Sequence, residues 1–313
     1  MAVPTNTFQS HSAIGNREDL TKVITLLTPY DTPMQSLIGR ENATGTLHEW
    51  QTQALAAAAT NAVVEGDDPS TDAVTPTVRI GNYVQILDKV IGVSNTQQWV
   101  DKAGRTNELS EQMRLKALEL KRDVEFMLMQ NNARSAGSSS TARNSAGVRS
   151  YTEQNGSRGS GGSAPTGNGT DAPTDGTTRP VTETMFLDVL QLIAVQGGYP
   201  DTVMAHAFVR RNISAFAGGA TAYRMVEDKK LVSTVKVWES DWGDLKIIFN
   251  RHQFEREAFI FQSDTWRMAI GDAYKIEPLA KTGHADKRLL SVECCLVSLA
   301  QEHNGVVADL NSS

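Results

Sequence analysis

The chain contains residue types that do chemistry, but not at the spacings chemistry needs. In GGSAPTGNGT, Gly162 and Gly167 stand at the spacing of a phosphate loop. Asn168 and Gly169 then occupy the places of the required lysine and hydroxyl, and no strand pattern precedes them. No Gly-x-Ser-x-Gly elbow is present. His11, His48, His206, His252, His284 and His303 are scattered, without a helical His-x-x-x-His pair or a Cys-x-x-Cys, so no metal centre is expected. The acid pairs Asp67-Asp68 and Asp241/Asp244 lie in turn-like sequence, where aspartate is favoured for bonding backbone. Cys294 and Cys295 are neighbours. On a strand they point to opposite faces and read as small buried apolar residues. Lys229-Lys230 reads as solvated surface. No catalytic residue and no cofactor is expected.

Composition agrees with this absence. The 313 residues are 40% apolar and 21% charged, enough to bury a core. The net charge is −6 and no basic stripe is visible in the sequence, unlike a dedicated nucleic-acid binder. No run of 18 apolar residues and no secretory start are present, so a cytoplasmic product without membrane spans is expected.

The elements implied by the pattern are unequal in clarity. Residues 107–132 predict a long helix: Leu109, Met113, Ala117, Leu120, Val124 and Met127 share one face, with Asn107 as cap. A shorter helix is expected from Asn16 through Leu20, Val23, Ile24 and Leu27, broken by Pro29 and Pro33. TLHEWQTQ and YVQILDKVIGVS read as strands. Between them runs an excursion, about residues 54–82, small, polar and Pro-broken, with Leu55, Val63, Val64, Val74, Val78 and Ile80 but no core pattern. It reads as an arm that packs on something else. The Gly/Ser/Thr-rich 134–180 stretch reads as flexible linker, with Val148 and Tyr151 the only hints of order. Beyond it come a helix in VTETMFLDVLQLIAVQGG stopped by Gly197-Gly198, a strand in DTVMAHAF, and a hairpin in TVKVWESDWGDLKIIFN. Short strands AFIFQ, WRMAI and YKIEPLA follow, then a long strand or strand-helix hybrid in RLLSVECCLVSLAQE and a closing GVVADL. The whole is an α+β chain without chemistry motifs that reads as an assembler.

The layout resembles the tailed-bacteriophage major capsid fold of the Hong Kong ninety-seven type. Several segments resemble one capsid subfamily: TPYDTPMQSLIG with HEWQTQAL, RPVTETMFLDVLQ, KKLVSTVKVWESDWGDLKIIFNR, and EPLAKTGHADKRLLSVECCLVSLAQEHNGVVADL. The resemblance implies an N-terminal arm at 1–45 and an E-loop with flanking strands at 46–104. It implies a P domain from 105–180 and 274–313 that carries a spine helix, and an A domain at 181–273. It further implies hexamers and pentamers closing an icosahedral shell around double-stranded DNA, without sequence-specific binding. Separate scaffolding, portal and decoration proteins are the implied partners, and the virion the implied location. An encapsulin-like compartment shell, and a hydrolase without recognisable motif, are the alternatives.

Residue-level expectations follow. Leu55, Val63 and Val64 on the arm should contact a neighbouring subunit. The acids Glu65, Asp67 and Asp68 should meet basic groups across a boundary, with Arg105, Arg114 and Arg122 as candidates. The arm carries no lysine, and Arg79 is its one basic residue, so an isopeptide lock of the kind the type member uses is not expected here. The arm pattern starts within twenty residues of Met1, so no scaffolding segment is expected within the chain.

Overall fold

The computed structural model describes residues 26–68, 71–102, 104–216 and 237–312. The helix expected from Asn16 lies outside them except for its last residues, as does Lys229-Lys230. In chain order the elements are α1 (Pro33–Leu37), β1 (Gly39–Asn42), β2 (Leu47–Thr52), β3 (Val78–Tyr83), β4 (Gln85–Ser94), α2 (Asn95–Trp99) and α3 (Glu108–Met129). Then follow β5 (Gly156–Ser157), α4 (Glu183–Val195), β6 (Thr202–Ala205), α5 (Ala207–Ile213), β7 (Val237–Ser240) and β8 (Gly243–Phe249). β9 (Ala258–Phe261), β10 (Trp266–Pro278), β11 (Ala285–Ser298) and β12 (Gly305–Val307) complete the described chain.

The rod α3 forms where its periodicity places it. Asn107 Oδ1 accepts from the Ser110 amide at 3.1 Å, and Glu108 and Glu111 suit the positive helix end. Its 22 residues span about 33 Å. Leu120, Val124, Met127 and Leu128 are buried, and Leu109, Met113 and Ala117 pack on the same cluster. That cluster lies between α3 and a four-stranded sheet of order β1-β10-β11-β4, in which β1 runs parallel to β10 and the other pairs are antiparallel. Cys294 joins the α3-side cluster and Cys295 the opposite one with Ala43, Val84 and Val297. Burial pushes both thiols up to about 12, so they are inert packing.

A second sheet has the order β5-β12-β9-β6-β8-β7, with β6 parallel to β8. Phe186, Val189, Leu190 and Ile193 of α4 fill its core with Val203, Leu245, Ile247 and Ile260. The helix stops at Gly197, whose φ of +87° favours glycine. The sheets cross the boundaries expected from the resemblance: Trp266–Ile270 belongs to the first sheet, whereas β5 and β12 belong to the second.

Two expectations need correction, and one open choice is resolved. WRMAI and YKIEP form one strand, β10, because register shifts at Ile270–Asp272 and Asp272–Lys275 absorb the polar break without ending the pairing. Of the two readings of RLLSVECCLVSLAQE the long strand holds, through Ser298, followed by a 3-10 turn at Gln301–His303. The Gly/Ser-rich 134–180 stretch is built structure and not linker. Ala146, Val148 and Tyr151 are buried, and single bridges pair Ser135 with Asn144, Ser163 with Thr174 and Arg179 with Leu310. Buried Arg149 donates to Asp175 at 2.5 Å and Glu257 at 2.7 Å, with its guanidinium 4.2 Å from the Phe254 ring centre. Burial pushes the Glu257 carboxyl up and Arg149 opposes it. Asp309 accepts the amides of Gly159 at 2.8 Å and Gly176 at 2.7 Å.

Several glycines there mark close approach. A Cβ on Gly147 would lie 2.0 Å from the Gln130 carbonyl oxygen, at the end of α3. Gly147→Ala is expected to destabilise the unassembled subunit by about 1–3 kcal/mol or more. Gly92→Ala, whose Cβ would meet only the Lys287 side chain at 3.6 Å, should be close to neutral. Thermal unfolding of the two variants against the parent checks this, and equal midpoints would refute the packing argument.

Candidate assembly surface

β2 and β3 pair antiparallel in register Leu47↔Tyr83 to Thr52↔Val78 and make the stem of the arm. The excursion is therefore shorter than its sequence suggests. Val78–Tyr83 is strand, and Ile80 is buried in the α3-side cluster and so does have an internal core. The unbroken run YVQILDKVIGVS concealed this, because VRIGNY carries Gly and Asn where a strand pattern weakens.

From residue 53 to 77 the described chain has no helix or strand. Gln53 Nε2 donates to the Thr75 carbonyl at 3.0 Å and closes the base. At the tip the Asp67 amide donates to the Val64 carbonyl at 3.1 Å around Gly66, whose φ is +89°. Leu55, Val63, Val64 and Val74 are 96%, 76%, 79% and 86% exposed. Single exposed apolar residues are ordinary; here four stand on one arm, and among the described residues none of the four is buried. Glu65, Asp67 and Asp68 are exposed at the same tip. Arg79 sits on the stem, 3.2 Å from Glu49.

The structure separates the three candidate arginines. Arg105 pairs with Glu108 at 2.5 Å. The Gln112 hydrogen bond and Arg105 hold the Glu108 carboxyl below its usual range against the effect of burial. Arg114 pairs with Glu111 at 2.7 Å through two of its nitrogens but stays more than half exposed. Arg122 makes no ion pair among the described residues. None of the three reaches the tip acids of its own chain, whose ion pairs are likewise absent among the described residues. Lysine chemistry is also remote from the arm. Lys89 Nζ lies 2.6 Å from Asp123, which raises its pKa, and Lys102 caps the carbonyls of Gln97, Gln98 and Val100.

Other exposed apolar residues escaped the sequence reading. Trp99 and Val100 lie at the end of α2, Ile86 and Val90 on one face of β4, and Leu192, Val195 and Tyr199 along and beyond α4. The spacing of Leu192 and Val195 was visible, but an amphipathic helix gives no sign of which apolar residues stay outside the core. Among the described residues no group of three His, Cys, Asp or Glu could hold a metal, and no helix is long and apolar enough to cross a membrane.

Comparison with known proteins agrees with this inventory of contact surface without a reactive centre. The family model described as SU10 major capsid protein matches residues 3–311. A curated major capsid protein of Escherichia phage Phieco32 is 29% identical over 330 aligned positions, covering 94% of each chain. Among solved structures, the capsid of cyanophage P-SCSP1u superposes with a TM-score of 0.65 at 11% identity, over 99% of this chain and 97% of the other. The SrpI encapsulin of Synechococcus elongatus shares the fold with a TM-score of 0.58 at 11% identity, over 96% and 94%. Encapsulin kinship is thus one of fold, while the family match is to phage capsids. The fold is that of the Hong Kong ninety-seven type capsids, and the chain belongs to the SU10 major capsid protein family: it is a structural head-shell subunit of a tailed-phage virion, and not an enzyme.

Proposed function

We propose that copies of this chain assemble as hexamers and pentamers of an icosahedral shell that encloses double-stranded DNA. In this reading the 53–77 arm is the main contact reaching a neighbouring subunit. The division into N-terminal arm, E-loop, P domain on α3 and the first sheet, and A domain on the second sheet belongs to it. The exposed apolar arm carries the reading: Leu55, Val63, Val64 and Val74 have a driving force to leave water, and no surface among the described residues covers them. Binding a neighbour supplies that surface, so the arm gains order and stability only on assembly. Deleting residues 56–74, which spares β2 and β3, should leave a folded subunit that closes no shells under negative-stain microscopy. Normal shells from the deletion would refute the role of the arm.

The tip acids bind across the boundary by charge. Arg114 can serve as a partner, since Glu111 engages two of its nitrogens and leaves other donors facing solvent. Exposed pairs contribute about 0–1 kcal/mol each and are screened by salt. Neutralising all three acids (Glu65→Gln, Asp67→Asn, Asp68→Asn) should lower shell stability in low salt and matter less in high salt. Melting profiles identical to the parent at both salt levels would dispose of the pairing.

The shell is locked without covalent bonds. No lysine occurs between Lys22 and Lys89, and Lys89 is held against Asp123 away from the arm. Particles boiled in detergent should run as one band near 34.0 kDa. A reductant-resistant ladder with cross-linked peptides mapping to a lysine of this chain would contradict that.

A further inference from the structure

We propose that a basic strip across the junction of α3, β8 and α5 receives the phosphate backbone of the enclosed DNA, which marks this face as the lumenal one. The proposal rests on the reading of the shell as a DNA container and adds which surface meets the DNA.

The strip is continuous through contacts on three separate segments. Arg122 on α3 and Arg251, just after β8, both act electrostatically on His252. The His252 ring packs edge-on against half-exposed Phe126, 6.2 Å between centres. The Arg251 guanidinium stands 5.1 Å from the centre of the Phe249 ring, and Phe249 lies 6.0 Å from the His206 ring. Arg210 stands one turn after His206, whose carbonyl accepts the Arg210 amide at 2.9 Å, so the two share a helix face. Arg211 follows and covers Phe208 at 5.3 Å. None of Arg122, Arg210, Arg211 and Arg251 pairs with a carboxylate among the described residues. The nearest acids of α3 are engaged: Glu119 by Lys116, Asp123 by Lys89, and Glu125 in full burial. Glu255 is exposed nearby and sets the limit of the strip.

This arrangement suits a polyanion without sequence preference. Guanidinium groups present several donors to phosphate oxygens and remain charged. The rings of Phe208 and Phe249 hold Arg211 and Arg251 by cation-π contact. The His252 ring adds a donor, and burial with the neighbouring arginines holds its pKa below the usual range. In a chain of net charge −6, a local cationic strip is a deliberate departure from the average. Three or four phosphate contacts per subunit are weak singly and numerous in a shell, which restrains packaged DNA yet lets it leave.

The test reads DNA binding on the unassembled full-length chain, using a fluorescent random-sequence duplex and anisotropy in about 25 to 200 mM salt. The expected result is binding whose affinity falls with a log–log salt slope of about −3 to −4, as for three or four phosphates. The triple variant Arg122→Gln, Arg210→Gln, Arg251→Gln should bind at least about tenfold more weakly at the lowest salt with a flatter slope. Lys281→Gln, on the distant β10–β11 hairpin, should bind as the parent does. Parent and triple variant agreeing within twofold, or no binding by the parent at the lowest salt, overturns the proposal. Microscopy of the same preparations reads assembly separately. Shells from both with equal DNA affinity sink only the strip, whereas a parent that forms no shells sinks the assembly reading.

Discussion

One buried carboxylate constrains how the parts of this subunit meet. Glu125, on α3, is completely buried. Its oxygens accept from the Met34 amide at 2.8 Å, the Gln35 amide at 3.1 Å, the Gln35 side chain at 3.3 Å and Asn250 at 2.7 Å. Burying a carboxylate is expensive, and burial pushes its pKa up; these four N–H groups oppose that shift. The donors come from the first turn of α1 and from the residue after β8, so the charge is tolerated only when the N-terminal segment, the rod and the second sheet are all in place. β1 begins two residues after α1 ends and pairs with β10, so the edge of the first sheet inherits its position from the same carboxylate.

A second class of constraint works through backbone and amide groups. Asn82, fully buried at the foot of the arm, donates to the Ser145 hydroxyl and to the carbonyls of Ala146 and Leu296, and accepts the Ala146 amide. It ties β3 to the glycine-rich segment and to β11. Asn304 accepts from the Trp266 indole at 2.9 Å and the Gln262 amide, and so fastens the start of β10 to the second sheet. These groups fix the stem of the arm to both layers. The arm then projects from a rigid base, and the conformational entropy lost on docking is confined to residues 53–77.

What the sequence discloses depends on how local the cause is. The α3 rod was legible because its cap, its charges and its apolar stripe lie within one segment, and Asn107 does cap it. The hairpin of β7 and β8 was legible for the same reason, through Ser240 to Gly243. The 134–180 segment was not. Its order comes from Asp309, Glu257 and Gly81, which lie far along the chain, and composition records only that its residues are small and polar. Gly147 and Gly159 serve close backbone approach and Gly169 leaves room for the Tyr151 ring, yet in sequence they are indistinguishable from glycines of a flexible linker. The exposure of Leu55, Val63, Val64 and Val74 was legible because nothing nearby in the sequence offered them a core. The engagement of Arg105 and Arg114 within the chain was not, although Glu108 and Glu111 stand at the i,i+3 spacing that produces it. The basic strip shows the same limit, since residues 122, 206, 210 and 251 become neighbours only through the fold.

Two kinds of surface stand side by side in this subunit, filled cores and exposed apolar side chains. The cores on the two sheets are filled without the arm: Trp266, Phe259 and Tyr151 pack together in one, and Phe186 and Trp238 in the other. Folding therefore does not wait for a neighbour. Among the described residues, the apolar side chains left outside belong to several elements: the arm, α2, β4 and α4. An isologous dimer needs a self-complementary patch, whereas a heterologous contact joins unlike faces and closes only when the rotation permits. A projecting arm that finds a different face of the next copy is the heterologous kind. In the proposed shell, repetition of that contact around a ring has each subunit both giving and receiving an arm.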